Sequence, residues 1–251
     1  VVERAHPVKA AGAFVGALTV LGLVMLGNAS SPSVMALPST EVPSPAPNRP
    51  AGIPVVEADT LAKLDALAIK GRAPKTGYSR DLFGQRWSDD VTVADGHNGC
   101  DTRNDILRRD LVDITIKPGT SGCVVLTGTL NDPYTGTTIE FQRGQGTSRQ
   151  VQIDHIVALS DAWQKGAQQW DEDKRRNFAN DPRNLQATDG PANEQKGDGD
   201  AATWLPPNKS YRCTYVTRIV DVKAAYGVWV TQAEHDAIDR ILRSGCGPAL
   251  E

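Results

Sequence analysis

The 251-residue chain has no excess of positive charge: 27 Lys and Arg stand against 30 Asp and Glu, a formal net charge of −3. A protein that held a polyanion by bulk electrostatics would be basic, because Lys and Arg neutralise phosphates and release counterions. That mode of binding is excluded, and any polyanion should be held weakly and turned over. A local patch is still allowed, since clustered charge steers a partner even when the sum opposes it. The cations do gather, at Arg103, Arg108 and Arg109 and again at Lys174, Arg175, Arg176 and Arg183. The chain also lacks any Cys-x-x-Cys and any Cys/His cluster, which argues against a zinc site. No internal repeat is visible, and no strand-helix alternation of the βαβ kind.

What is present begins with an export signature. Arg4 and Lys9 precede an uncharged, largely apolar run from Ala10 to Leu26, and Val34-Met35-Ala36 offers the small residues a signal peptidase reads. Residues 1–36 are therefore expected to be a signal peptide or, uncleaved, a membrane anchor, because the run approaches the ~17–25 residues that span a bilayer. Residues 37–56, rich in Pro and Ser, read as an extended tether. All four cysteines, Cys100, Cys123, Cys213 and Cys246, lie beyond the signal. An even number in an exported chain reads as disulfides with three possible pairings, of which neighbours in sequence are preferred.

Residues 57–251 are expected to form one α+β domain. Leu61, Leu64, Leu67 and Ala68 share one face of a helix over 57–70. A helix over 103–110 and β-prone runs at 113–117, 123–130 and 137–141 follow, with a turn at Asn131-Asp132-Pro133 that suggests a hairpin. Helical spacing returns over 213–226 and over 233–243, the latter opened by the capping box Thr231-Gln-Ala-Glu234 and closed by Gly245.

The most informative stretch is Gln152-Ile153-Asp154-His155-Ile156-Val157, followed by Asn184-Leu185-Gln186-Ala187-Thr188 and by Asn193-Glu194-Gln195-Lys196-Gly197-Asp198. This ordered set resembles the ββα-metal (HNH) nuclease core in its HNN variant, with core residues 149–200. Cys100-Asp101-Thr102-Arg103-Asn104, Asp132-Pro133-Tyr134-Thr135-Gly136 and Trp204-Leu205-Pro206-Pro207 are similar to the secreted HNH endonucleases of actinobacteria, grouped with the DUF1524 domains. The resemblance runs from about Tyr78 to Cys246.

The resemblance implies a metal-dependent phosphodiesterase. His155 would be the general base, since an imidazole of ordinary pKa ~6.5 accepts a proton from water near neutral pH. Asp154 and Asn193 would hold one divalent cation, Mg²⁺ or else Mn²⁺, because hard cations favour oxygen ligands and keep several waters. Strand alternation points Asp154 and His155 to opposite sides, so a shared site requires the strand to break at the pair. Asn184 completes the catalytic set by tying the His-bearing loop to the second strand. Lys196, Arg103 and Arg108 are candidates for substrate contact. The insert 158–182 is expected to fold as helices, with Trp163 and Trp170 packed rather than stacked on bases. His97 lies in a turn-rich loop near the site or on the surface.

No sequence-reading module is apparent, neither a Cys/His finger nor a helix-turn-helix, so the partner implied is nucleic acid, DNA favoured, cut without sequence preference. No stable protein partner is expected, and membrane contact only through an uncleaved N-terminal segment. The alternative is a noncatalytic exported or envelope-associated binding protein that keeps the nuclease fold.

Overall fold

The computed structural model describes residues 55–244 and Cys246. The expected export segment, residues 37–54 of the expected tether and Gly245 lie outside the described residues. Among the described residues no helix is long and apolar enough to cross a membrane.

Helix α1 (Val55–Ala66) begins inside the expected tether and stops at Ala66 rather than Lys70. The chain is drawn out there because Ile69 bridges Val230 in parallel and the Lys70 amide donates to the Val230 carbonyl at 2.9 Å. Helix α2 (Thr102–Asp110) is capped by Asp101, whose carboxylate accepts from the Asn104 amide at 2.9 Å. Strands β1 (Leu111–Ile116), β2 (Val125–Asn131) and β3 (Thr138–Gln142) form an antiparallel meander in that order. The expected hairpin is thus β2–β3, with Leu130 opposite Ile139.

A separate two-stranded antiparallel ribbon pairs β4 (Val151–His155) with β5 (Leu185–Asp189). The insert between them folds as α3 (Leu159–Gln164) and α4 (Glu172–Asn180). Helix α5 (Gly190–Lys196) follows β5 directly, with Asp189 accepting from the Ala192 amide and Pro191 in the first turn. Helices α6 (Arg212–Tyr226) and α7 (Gln232–Arg243) close the fold, α7 capped by the Thr231 hydroxyl on the Glu234 amide. This is an α+β architecture.

Two cores result. Leu61 and Leu64 of α1 join Ile156, Trp163, Phe178, Val216, Ile219 and Ile238 in the larger one. The smaller one seals α2 and the meander against Val151, Ile153, Leu185 and Ala187 of the ribbon. Trp163 is buried, and Trp170 packs edge-on against Phe178, as expected for core aromatics. The cysteines pair as neighbours: Cys100 with Cys123 joins the approach to α2 to the entry of β2 (Cα–Cα 5.2 Å), and Cys213 with Cys246 joins the ends of α6 and α7 (5.6 Å).

A charged cluster is buried behind α3. The Lys165 ammonium contacts Asp161 at 2.7 Å, Asp200 at 2.8 Å and Glu234 at 2.7 Å. Lys223 reaches Glu234 at 2.7 Å and Asp161 at 3.3 Å, and Arg72 reaches Asp161 at 2.9 Å and Asp200 at 2.8 Å. Three cations thus meet three carboxylates, tying α3, α6, α7 and the chain beyond α5 together. Burial pushes the Asp200 carboxyl up, but Lys165, then Arg72 and Lys223, win and hold it at about 2.

Candidate active site at the free edge of the ribbon

Among the described residues β5 is the one strand paired with β4, so no strand covers its other edge. Along that edge four consecutive residues, Gln152, Ile153, Asp154 and His155, line one cleft of about 530 Å³ together with Arg80, Ser160 and Asn193. Consecutive strand residues point to alternate faces, and a hollow that meets all four must run along the edge. The expected break at Asp154-His155 does not occur: Asp154 pairs with Gln186 and His155 with Leu185. The Ile156 amide then extends the pairing to the Asn184 carbonyl at 2.8 Å. The two side chains leave on opposite faces and are reunited by the free edge, not by a bend.

His155 is buried, and its Nε2 lies 2.9 Å from the Ala179 carbonyl. A carbonyl only accepts, so Nε2 carries the proton and Nδ1 holds the lone pair. Trp87 stacks over the ring, centroids 6.1 Å apart and planes 9° from parallel. Trp87 itself has φ 59°, a costly backbone for a bulky residue and one that marks functional sites. Burial first, then the charge of Arg80, then Lys196 and Arg86, depress the imidazole pKa to about 3 against the pull of the Ala179 carbonyl. The ring is therefore neutral across the physiological range.

Asp154 sits under the β2–β3 turn. Asp132 accepts from the Thr135 amide (2.8 Å) and from the Thr188 hydroxyl (2.7 Å), pinning that turn to the end of β5. Tyr134 is thereby driven inward, and its hydroxyl donates to Asp154 Oδ2 at 2.5 Å. Burial and then the Asp154 charge raise the Tyr134 phenol well above its usual range, so it stays a donor.

Lys196, expected at a phosphate or on the surface, is instead fully buried. Its ammonium contacts Asp154 at 2.9 Å and the His155 carbonyl at 2.7 Å. A buried carboxylate needs a counter-ion, and the last turn of α5 supplies it. Asn193 enters the cleft from the same helix, its amide donating to Gln152 Oε1 at 2.8 Å. The approach of α5 depends on Gly190, where a Cβ would stand 2.1 Å from the Arg149 carbonyl oxygen.

Oxygen donors for a hard cation are available. Among the described residues Asn193 Oδ1 has no hydrogen-bond donor, and Asp154 Oδ1 takes one hydrogen bond, from Lys196 at 3.0 Å, which leaves it acceptor capacity. A carboxylate and an amide oxygen at one open cleft suit a cation that keeps most of its waters. Among the described residues no three His, Cys, Asp or Glu converge as a cage.

Asn184 is fully buried and binds both sides of the turn after His155: its Oδ1 accepts from the Val157 amide at 2.8 Å, and its Nδ2 donates to the Val157 carbonyl at 3.3 Å and to that of Phe178 at 3.4 Å. It ties the chain just after His155 to the end of α4, next to the Ala179 carbonyl that holds the imidazole, and does not line the cleft. Arg103 lines a second hollow of about 410 Å³ on the same edge, with Arg80, Arg86, Trp87, Arg149, Gln152 and Asn193. Arg108 does not reach either hollow; it turns to Asp105 (3.5 Å) and the Cys100 sulfur (3.3 Å). His97 lies on the surface, 3.8 Å from Asp90.

The basic clusters read from the sequence are spent on the fold. Arg109 binds Asp110 and the carbonyls of Pro182 and Leu185. Arg175 donates to the Leu82 and Trp170 carbonyls, Arg176 pairs with Asp173, and Arg183 pairs with Asp181. Arg103 is the exception: it lines the second hollow with Arg86 and Arg149, while Arg80 lines both that hollow and the cleft. Among the described residues none of these four makes an ion pair with a carboxylate. Arg80, Arg86 and Arg149 are far apart in sequence and leave no run or period, so of the four only Arg103 is signalled by the sequence.

With this geometry in hand, comparison with known proteins is informative. Residues 101–241 are similar to the C-terminal domain of GmrSD restriction endonucleases. The chain is also 34% identical over 218 residues to an uncharacterised secreted protein of Arthroderma benhamiae, a match covering 86% of this chain and 95% of the fungal one. No solved structure matches.

Proposed function

The chain belongs to the family of GmrSD restriction endonuclease C-terminal domains, and from that premise we propose that it is an exported, metal-dependent endonuclease of the HNH type that hydrolyses DNA with little sequence preference. One observation carries the reading: Asp154, His155, Asn193 and Arg80 line a single open cleft. The paired cysteines are consistent with export.

His155 is held as a base by the hydrogen bond from its Nε2–H to the Ala179 carbonyl, which keeps the proton on Nε2 and leaves Nδ1 free to take one from the attacking water. In the free protein its basicity is suppressed by burial and by Arg80. A phosphodiester brought against Arg80 neutralises that charge and raises the imidazole towards the working range. Asn184 fixes the chain beyond His155, and Trp87 fixes the ring. A divalent cation, Mg²⁺ or Mn²⁺, on Asp154 and Asn193 would offset charge on the phosphate and the leaving oxygen.

The Lys196 ammonium on Asp154 favours a second reading, in which the lysine replaces the metal and the chain is a noncatalytic exported binding protein. Plasmid nicking by the oxidised protein with Mg²⁺, Mn²⁺ or EDTA separates the two. The endonuclease reading expects cleavage that EDTA abolishes and that needs more Mg²⁺ in Asn193→Ala. A folded protein that cuts neither DNA nor an RNA control under any metal supports the second.

A further inference from the structure

We propose that the segment 75–87 is a clamp for the nucleic-acid backbone, in which Arg80 takes the phosphate being cut while Arg86, with Arg149, takes its neighbours. The inference rests on the nuclease reading but concerns a segment outside the matched region 101–241, joined only by Arg149 from within it.

Three hollows adjoin β4: the two described above and a small one of about 50 Å³ beside His155. Arg80 lines all three, and Arg86 and Trp87 line two. Arg80 therefore stands at the junction of the His155 cleft with the arginine-lined groove. Asp81 adjoins the small hollow, yet among the described residues it makes no ion pair with either arginine. Arg80 shares the cleft with Asp154, Glu194 and Asp198, but among the described residues these guanidiniums make no ion pair, which leaves their donors for an incoming anion, and their planar forks match phosphate oxygens.

The segment is anchored so that these forks stay free. Phe83 is buried against Trp163 and Phe178. Gly84 has φ 81°, a backbone that suits glycine, and the Arg176 stem lies 3.1 Å from where its Cβ would be. Arg175 Nε donates to the Leu82 carbonyl and Arg176 Nε to the Asp90 carbonyl, each at 2.8 Å. The arginines of α4 thus hold the clamp from behind, and those of the clamp face outwards.

The test is equilibrium binding of a fluorescein-labelled 20-base-pair DNA duplex to the full chain in EDTA, across roughly 50–200 mM salt. Arg80→Gln, Arg86→Gln and Arg149→Gln should each weaken binding and reduce the log–log salt slope by about 0.9, the value for one lost phosphate contact. Arg80→Lys should restore the slope. With metal present, Arg80→Gln should lower kcat, whereas Arg86→Gln and Arg149→Gln should mainly raise KM. Unchanged affinity and slope in Arg80→Gln and Arg86→Gln, or no duplex binding by the wild type, would overturn the clamp. Binding that depends on these arginines without cleavage would sink the nuclease reading and leave the clamp standing. Cleavage with unaltered slopes would do the reverse.

Discussion

Two groups of charge occupy this molecule and are built on opposite rules. Behind α3, Arg72, Lys165 and Lys223 meet Asp161, Asp200 and Glu234 at 2.7–3.3 Å. Along the free edge of β4, Arg80, Arg86, Arg103 and Arg149 line one groove without an acidic partner among the described residues. A paired, buried set satisfies itself and fixes the elements it joins. An unpaired set at a surface cleft is left for a ligand to satisfy. The comparison shows why a chain of net charge −3 can present a polyanion site: balance in one place frees imbalance in another.

The comparison breaks first if the buried set is not structural. Lys165→Met leaves three carboxylates short of a cation and should cost about 3–5 kcal/mol, read as a melting temperature lower by roughly 10 °C. Arg86→Gln and Arg149→Gln should each shift it by no more than about 2 °C. Equal losses would erase the distinction.

Acid separates the two regions by window. The folded His155 pKa of about 3 lies below the unfolded ~6.5, so its contribution is full above pH 6.5 and is lost as pH falls towards 3. Its ceiling is about 5 kcal/mol. Asp200, held at about 2 against an unfolded 3.8, contributes above pH 3.8 and is lost only below that, worth about 2 kcal/mol. Urea unfolding between pH 7 and 4 should therefore show a slope that His155→Gln removes and Asp200→Asn retains. A slope surviving in His155→Gln would contradict the assignment.

The smallest expected effect is that of Arg108. Facing Asp105 and Cys100, it should tolerate Arg108→Gln with cleavage and DNA affinity within about twofold, a surface change away from the site. A large loss of binding would extend the groove to a residue that lines neither hollow.

Much of the fold was legible because it rests on local rules. The cap at Thr231 and the apolar spacing of α6 announce themselves in sequence. The candidate site is legible to the extent that it is contiguous: Asp154-His155 on β4 and Asn193 just beyond β5 line one cleft, with Asn184 behind His155. What escaped depends on long-range placement. Lys196 reads as a phosphate contact or a surface lysine until the β2–β3 turn shows that Asp154 is buried beneath Tyr134. Arg80, Arg86 and Arg149 come from separate stretches that only the tertiary fold brings into one groove with Arg103, the one of the four read from the sequence. The basic runs that stood out in sequence serve carbonyls and nearby carboxylates instead.

The most direct test is single-turnover cleavage of a labelled DNA duplex in Mg²⁺ by the wild type and by His155→Ala, with the melting temperature of each taken in the same buffer. The account predicts cleavage by the wild type and a loss of at least about 100-fold in the variant, with the variant still folded. Equal rates in two folded proteins would contradict it.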